Sequence, residues 1–116
     1  MIVEKDTAGW KFYQRHLGYF HDKDVEGLLA NDYHDDAELV AGEFAAKGRD
    51  ALRQVFQGYL QMIGDFEVTT TEKLMETEDV ILLEATMETT RAGTRKVYDV
   101  FVMKDGKISY HITGLR

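Results

Sequence analysis

Apolar positions recur at three- and four-residue spacing over residues 7–21, where Trp10, Tyr13, Leu17 and Phe20 predict one face of an amphipathic helix. Phe12, His16 and Tyr19 form an adjoining stripe, so His16 borders the buried side. It reads either as a core histidine with one satisfied hydrogen bond or as a pocket-lining acid or donor. Asp22-Lys23-Asp24 breaks the pattern and offers caps for a short helix carrying Val25, Leu28 and Leu29. Tyr33-His34-Asp35-Asp36 ends it, and Ala37-Glu38-Leu39-Val40 continues at once as a strand. Gly42-Glu43 reads as a turn into a short strand over Phe44–Lys47. Gly48-Arg49-Asp50 then opens a second long helix with Leu52, Val55, Phe56, Tyr59 and Ile63 on its apolar face and Gly64 as its stop.

From Asp65 onward the periodicity changes to that of strands. Phe66–Thr71 is rich in β-branched residues, and Glu76-Thr77-Glu78-Asp79 is a charged hairpin loop. Val80-Ile81-Leu82-Leu83 is apolar at both parities, which predicts a strand covered on both faces. Arg91-Ala92-Gly93-Thr94 turns into the final hairpin, 96–115, around Lys-Asp-Gly-Lys. A two-residue loop, Asp105-Gly106, would set Asp99 opposite Ile112; a three-residue loop, Lys104-Asp105-Gly106, would set it opposite His111. The three-residue reading separates the faces more cleanly. It puts Tyr98, Val100, Val102, Ile108, Tyr110 and Ile112 on one side and Asp99, Phe101, Ser109, His111 and Thr113 on the other. Helices first and an antiparallel meander after is an α+β pattern.

Composition narrows the field. The 116 residues suit one domain, 1–116, with 44% hydrophobic and 30% charged residues. No run approaches a membrane span, and MIVEKDTAG is not a signal peptide. Cysteine is absent, which removes disulfides and thiolate metal sites and fits a cytoplasmic protein. A net charge of −7 argues against nucleic acid and anionic membrane as partners. His34, Asp35 and Asp36 resemble a metal cluster in the bare sequence, but neighbouring residues diverge on any regular element. A solvated corner is the better reading, with no metal and no cofactor expected.

The order of elements, with YHDDAELV, GRDALRQVFQGYL and VYDVFVMKDGKISYH, resembles the nuclear transport factor 2-like superfamily, and within it the SnoaL-like and ketosteroid-isomerase-like proteins. The resemblance covers nearly the whole chain. It implies a cone: a curved, mainly antiparallel sheet wrapped on three N-terminal helices, cystatin-like, with an apolar pocket at its open end. It places Asp99 where ketosteroid isomerases carry a protonated aspartic acid that donates to an oxyanion, a buried carboxyl kept neutral by its apolar surroundings. It also matches Ala41 to their general-base aspartate and His16 to their oxyanion tyrosine. The catalytic aspartate of SnoaL-type cyclases falls at Tyr110 or Thr113.

The candidate catalytic residues are therefore Asp99, His111 and His16, since a carboxylate beside an imidazole orients it for general acid–base work. The candidate ligand contacts are Phe12, Tyr33, Ala41, Phe56, Tyr59, Phe101 and Thr113. The expected ligand is a small apolar carbonyl or ring compound, either turned over by an isomerase, cyclase, dehydratase or epoxide hydrolase or simply bound. An assembly domain using its apolar sheet face is a further reading. That face is too apolar to leave in water, so a homodimer through it is expected.

Overall fold

A computed structural model describes residues 3–115; Met1 and Ile2, at the start of the stretch read as no signal peptide, lie outside the described residues, as does Arg116. The chain runs α1 (Ala8–His21), α2 (Val25–Asp32), β1 (Tyr33–Ala41), β2 (Ala45–Lys47), α3 (Arg49–Ile63), β3 (Phe66–Glu76), β4 (Val80–Thr89), β5 (Gly93–Lys104) and β6 (Lys107–Leu115). The strands form one curved, unclosed sheet in the order β2-β1-β6-β5-β4-β3. All pairs are antiparallel except β1 with β6. Helices stop at Ile63, and the α+β expectation holds.

Local chemistry sets the helix ends. The Thr7 side chain accepts from Trp10 N–H at the start of α1, and Asp24 does the same for Gly27 N–H at the start of α2. Gly64, at φ 72°, ends α3 in the left-handed region. The buried face of α1 is Gly9, Phe12, Tyr13 and His16. Trp10, Leu17 and Phe20 are only partly covered, so the helix is rolled toward the stripe containing His16. α3 buries Leu52, Phe56, Leu60 and Ile63, which leaves Val55 and Tyr59 half-buried at the edge of the core.

The core lies between the helices and the concave side of the sheet. Leu83, Phe101, Ile108, Tyr33 and Leu39 are its largest fully buried sheet side chains, each at 1% exposure or less. The outer side of β4, expected to be covered, is only half-buried at Val80, Leu82, Glu84 and Thr86, because the described chain supplies no layer beyond the sheet.

The final hairpin resolves the register question in a way neither loop anticipates. Lys104 pairs with Lys107 across Asp105 (φ 52°) and Gly106 (φ 80°), a two-residue turn with both central residues left-handed. A bulge then inserts one residue of β6 between Ile108 and Tyr110. Beyond it Phe101 faces His111 and Asp99 faces Thr113. The bulge restores the face assignment that a two-residue turn alone would have inverted. Asp99, Phe101, His111 and Thr113 share the concave side, as the three-residue reading required. Ile108 precedes the bulge and is the exception: expected outside, it is fully buried. Ser109, taken up in the bulge, donates to Val102 C=O at 3.0 Å.

Candidate active site

A cavity of about 610 Å³ opens between the helices and the concave sheet. Tyr13, His16 and Phe20 of α1 form one wall, and Phe56, Tyr59 and Met62 of α3 form the facing one. Asp99, Phe101, His111 and Thr113 of the final hairpin line its floor, while Ala41 and Phe44 stand at its rim. Among the described residues its charged lining consists of carboxylates and imidazoles, with no lysine or arginine.

Two carboxylate–imidazole chains meet there. In the first, His111 Nε2 lies 2.7 Å from Asp99 Oδ1 and His111 Nδ1 lies 2.8 Å from the Tyr33 hydroxyl. Burial pushes the Asp99 carboxyl up, but the hydrogen bond and charge of His111, the Thr113 hydroxyl and His16 outweigh it and hold the group below the ordinary carboxylate range. Asp99 is therefore an ionised acceptor, so His111 Nε2 carries a proton. Burial, reinforced by the charges of Asp99 and Asp32, pushes the Tyr33 phenol well up, so it stays protonated. Among the described residues the hydrogen-bond partner of its hydroxyl is His111 Nδ1. Nε2–H donates to Asp99, and Nδ1 is taken up by the Tyr33 hydroxyl. Both nitrogens of His111 are thus occupied, and the group exposed to the cavity is Asp99, whose side chain is 19% exposed against 5% for His111.

The second chain runs the other way. Asp32, the last residue of α2, is fully buried. Its Oδ1 accepts from Arg15 Nε at 3.2 Å and Nη2 at 2.9 Å, and its Oδ2 lies 3.0 Å from His16 Nδ1. Burial pushes His16 down, against the opposing pull of Asp32, and the imidazole is neutral at physiological pH. With Nδ1–H donating to the carboxylate, the unprotonated nitrogen is Nε2. It makes no hydrogen bond among the described residues, where the one buried side-chain N or O without a partner is Glu72 Oε2. His16 Nε2 is therefore open to the cavity that the ring lines. The ring centroids of His16 and His111 are 6.3 Å apart, and Phe101 packs against both.

Asp32 and Arg15 were not singled out in the sequence. A signal did exist: a carboxylate on the last turn of a helix opposes the macrodipole, which marks it as held by something else. Tyr59 adds a donor. Burial and the charge of Asp99 push its phenol well up, and its partner among the described residues is the weak acceptor Met87 Sδ at 3.7 Å.

The other sequence candidates fall as follows. Ala41, Phe56, Tyr59, Phe101 and Thr113 line the cavity with His16, Asp99 and His111. Phe12 and Tyr33 do not; they sit one layer behind it, Phe12 edge-on to Phe101 at 5.8 Å and Tyr33 holding His111. Tyr110 is half-exposed on the convex side, so Thr113 is the residue at the cyclase position that faces the cavity. Asp35 and Asp36 are exposed, and Asp35 pairs with Arg49. Among the described residues no group of three or more acidic or histidine side chains is placed to hold a metal ion.

Comparison with known proteins agrees with the fold. The SnoaL-like domain profile matches residues 13–111. TerC, crystallised with polyporic acid, is 20% identical with a TM-score of 0.74, covering 92% of this chain and 90% of its own. A candidate polyketide cyclase of Sinorhizobium meliloti is 14% identical at TM-score 0.75, covering 89% and 93%. A nuclear transport factor 2-like protein of Anabaena variabilis is 15% identical at TM-score 0.74, covering 100% and 95%. At these identities the likeness is one of fold. No curated protein matches the chain.

Proposed function

Because the chain belongs to the SnoaL-like domain family, we propose that its cavity is the acid–base site of a small-molecule enzyme that moves a proton on a ring or carbonyl compound. The observation that carries this reading is His16: a neutral imidazole, pinned through Nδ1 by a buried carboxylate, with Nε2 open to an aromatic cavity beside an ionised Asp99. Such a nitrogen is a general base. It takes a proton from a carbon next to a carbonyl; the C–H bond breaks, an N–H bond forms, and the electron pair moves onto the substrate oxygen as an enolate. Asp32 stabilises the imidazolium by direct contact and Asp99 by its field. Tyr59 O–H donates to the oxygen that gains charge. Return of the proton to another carbon completes an isomerisation, and loss of a β-hydroxyl as water, protonated by the imidazolium, completes a dehydration.

This scheme differs from the one the ketosteroid-isomerase resemblance implied. An ionised Asp99 cannot donate to an oxyanion, and Ala41 offers no base. The base is moved to the helix, and the donor to Tyr59. The Ala41 position also favours a second reading, a pocket that binds its ligand without turnover. Solvent-deuterium exchange separates the two: a panel of cyclic ketones and hydroxyketones in D2O, followed by NMR, is expected to exchange α-protons with wild type and not with His16→Gln. A panel member that binds in the cavity without accelerated exchange reduces the protein to a binder.

We further propose a homodimer through the convex face. Leu82, Val100, Ile112 and Val40 lie side by side across consecutive strands, flanked by Val80, Val102 and Tyr110. Val40, Ile112 and Tyr110 are 47%, 43% and 50% exposed, more apolar surface than a strand face leaves in water. An isologous contact would cover it.

A further inference from the structure

The proposed acid–base role says nothing of which molecules the cavity admits, and the floor carries that information. Resting on the same site, we infer that the ligand is a ring compound without negative charge that presents an O–H or N–H donor to Asp99. Three observations lead there. First, the described lining carries two carboxylates, Asp99 and Glu43, and no lysine or arginine to offset them. Second, the groups that face inward at the deep end are acceptors: the Asp99 carboxylate and the lone pair on His16 Nε2. A carboxylate or phosphate there would meet like charge, and a bare carbonyl would offer the ionised acid no donor beyond those the protein already supplies. Third, Tyr13, Phe20, Phe56, Tyr59 and Phe101 supply flat apolar walls around a volume of about 610 Å³, which suits a ring system of more than one ring. A hydroxyl on Asp99, an adjacent carbonyl under Tyr59 and a C–H toward His16 fit one hydroxycarbonyl ring compound.

A matched series tests this without requiring turnover: naphthalene, 2-naphthol, 2-naphthoate and 2-naphthylmethylamine, titrated into the wild-type protein at neutral pH. Amide shifts of Asp99 and Thr113 report the site and give Kd. 2-Naphthol is expected to bind about tenfold more tightly than naphthalene and at least as much more tightly than 2-naphthoate. The amine, a cation at this pH, is expected to outbind 2-naphthoate as well; its rank against 2-naphthol tells whether charge or the hydrogen bond contributes more. In Asp99→Asn the gap between 2-naphthol and 2-naphthoate should close, because the amide donates where the acid could only accept. Equal binding of 2-naphthoate and 2-naphthol by wild type, or no shift at Asp99 with any donor-bearing compound, overturns the inference, whatever Asp99→Asn does to folding. The outcome is independent of the exchange assay: selective binding with no exchange removes the catalytic reading and leaves this one standing.

Discussion

Replacing Asp32 by Asn tests the base most directly, because it turns one acceptor oxygen into a donor and changes almost no volume. In the wild-type protein Asp32 Oδ2 accepts from His16 Nδ1–H at 3.0 Å, while Oδ1 takes both Arg15 contacts. Arg15 has only donors, so the Asn carbonyl oxygen must turn to it and the amide nitrogen must face His16. Nδ1 then has to accept, the ring changes tautomer, and Nε2 carries the proton into the cavity. The base is lost while the fold is kept. Asp32 is fully buried, but Arg15 is half-exposed at 51%, so water screens part of the lost pair. We expect a destabilisation of about 2–3 kcal/mol from the weakened charge-assisted bonds. Unfolding in urea measures it, and the melting temperature should fall by about 10 °C. Solvent exchange of a bound ketone should fall by about 10²–10⁴-fold, the range for removing a general base. Nitrogen-15 NMR of the imidazole is the deciding measurement. A His16 ring that keeps its proton on Nδ1 in Asp32→Asn, or that exchanges substrate protons at the wild-type rate after changing tautomer, would refute the assignment of Nε2 as the base.

Three further outcomes are expected. Val100→Glu, in the middle of the convex apolar row, should convert a dimer to a monomer by light scattering at micromolar concentration; a wild-type protein already monomeric there removes the interface. Stability should fall with acid in separate windows. His16 is held below its ordinary 6.5, so the unfolded chain binds the extra proton first and stability declines as pH drops through 6.5; Asp99, held below 3.8, adds a second decline below that value. Urea titrations from pH 8 to pH 3 should show both, with the upper one absent in His16→Gln. Gly106→Ala, at φ 80° in the tight turn, should cost about 1 kcal/mol in urea unfolding without changing ligand binding, since the turn lies at the far end of the hairpin from Asp99.

The hairpin shows how far periodicity reaches. Alternation along 96–115 fixes which side chains share a face, and that much was legible: Asp99, Phe101, His111 and Thr113 are together on the concave side. Alternation does not fix which residue stands opposite which. Turn type and bulge each shift the pairing by one, and their effects on parity cancel. A three-residue loop and a two-residue turn with a bulge therefore look the same in the sequence beyond residue 109. What separates them is Ile108, which the bulge sends inward to full burial. The consequence is chemical. Direct opposition would have set His111 straight across from Asp99, whereas the bulged register sets Thr113 there, puts His111 opposite Phe101 and lets it reach Asp99 diagonally at 2.7 Å. That displacement brings Nδ1 to the Tyr33 hydroxyl and occupies both ring nitrogens.

The same limit explains why the sequence paired His111 with Asp99 and left Asp32 unread. A strand face can be read from its own spacing, but a hydrogen bond between helices depends on their crossing, which no local pattern encodes. Arg15 and His16 are adjacent on α1, so their side chains diverge by about 100° around the helix, and only a group lying over the gap can take both. Asp32 does so from the end of α2, where the turn into β1 carries it under α1. Once that contact exists, the proposed scheme gives the two imidazoles opposite duties. His111 is bonded at both nitrogens and can only hold Asp99 in place and ionised. His16 is bonded at one and keeps a lone pair for the cavity. In the proposed scheme the difference between a structural and a reactive histidine is the number of partners around each ring, and that number is set by tertiary packing.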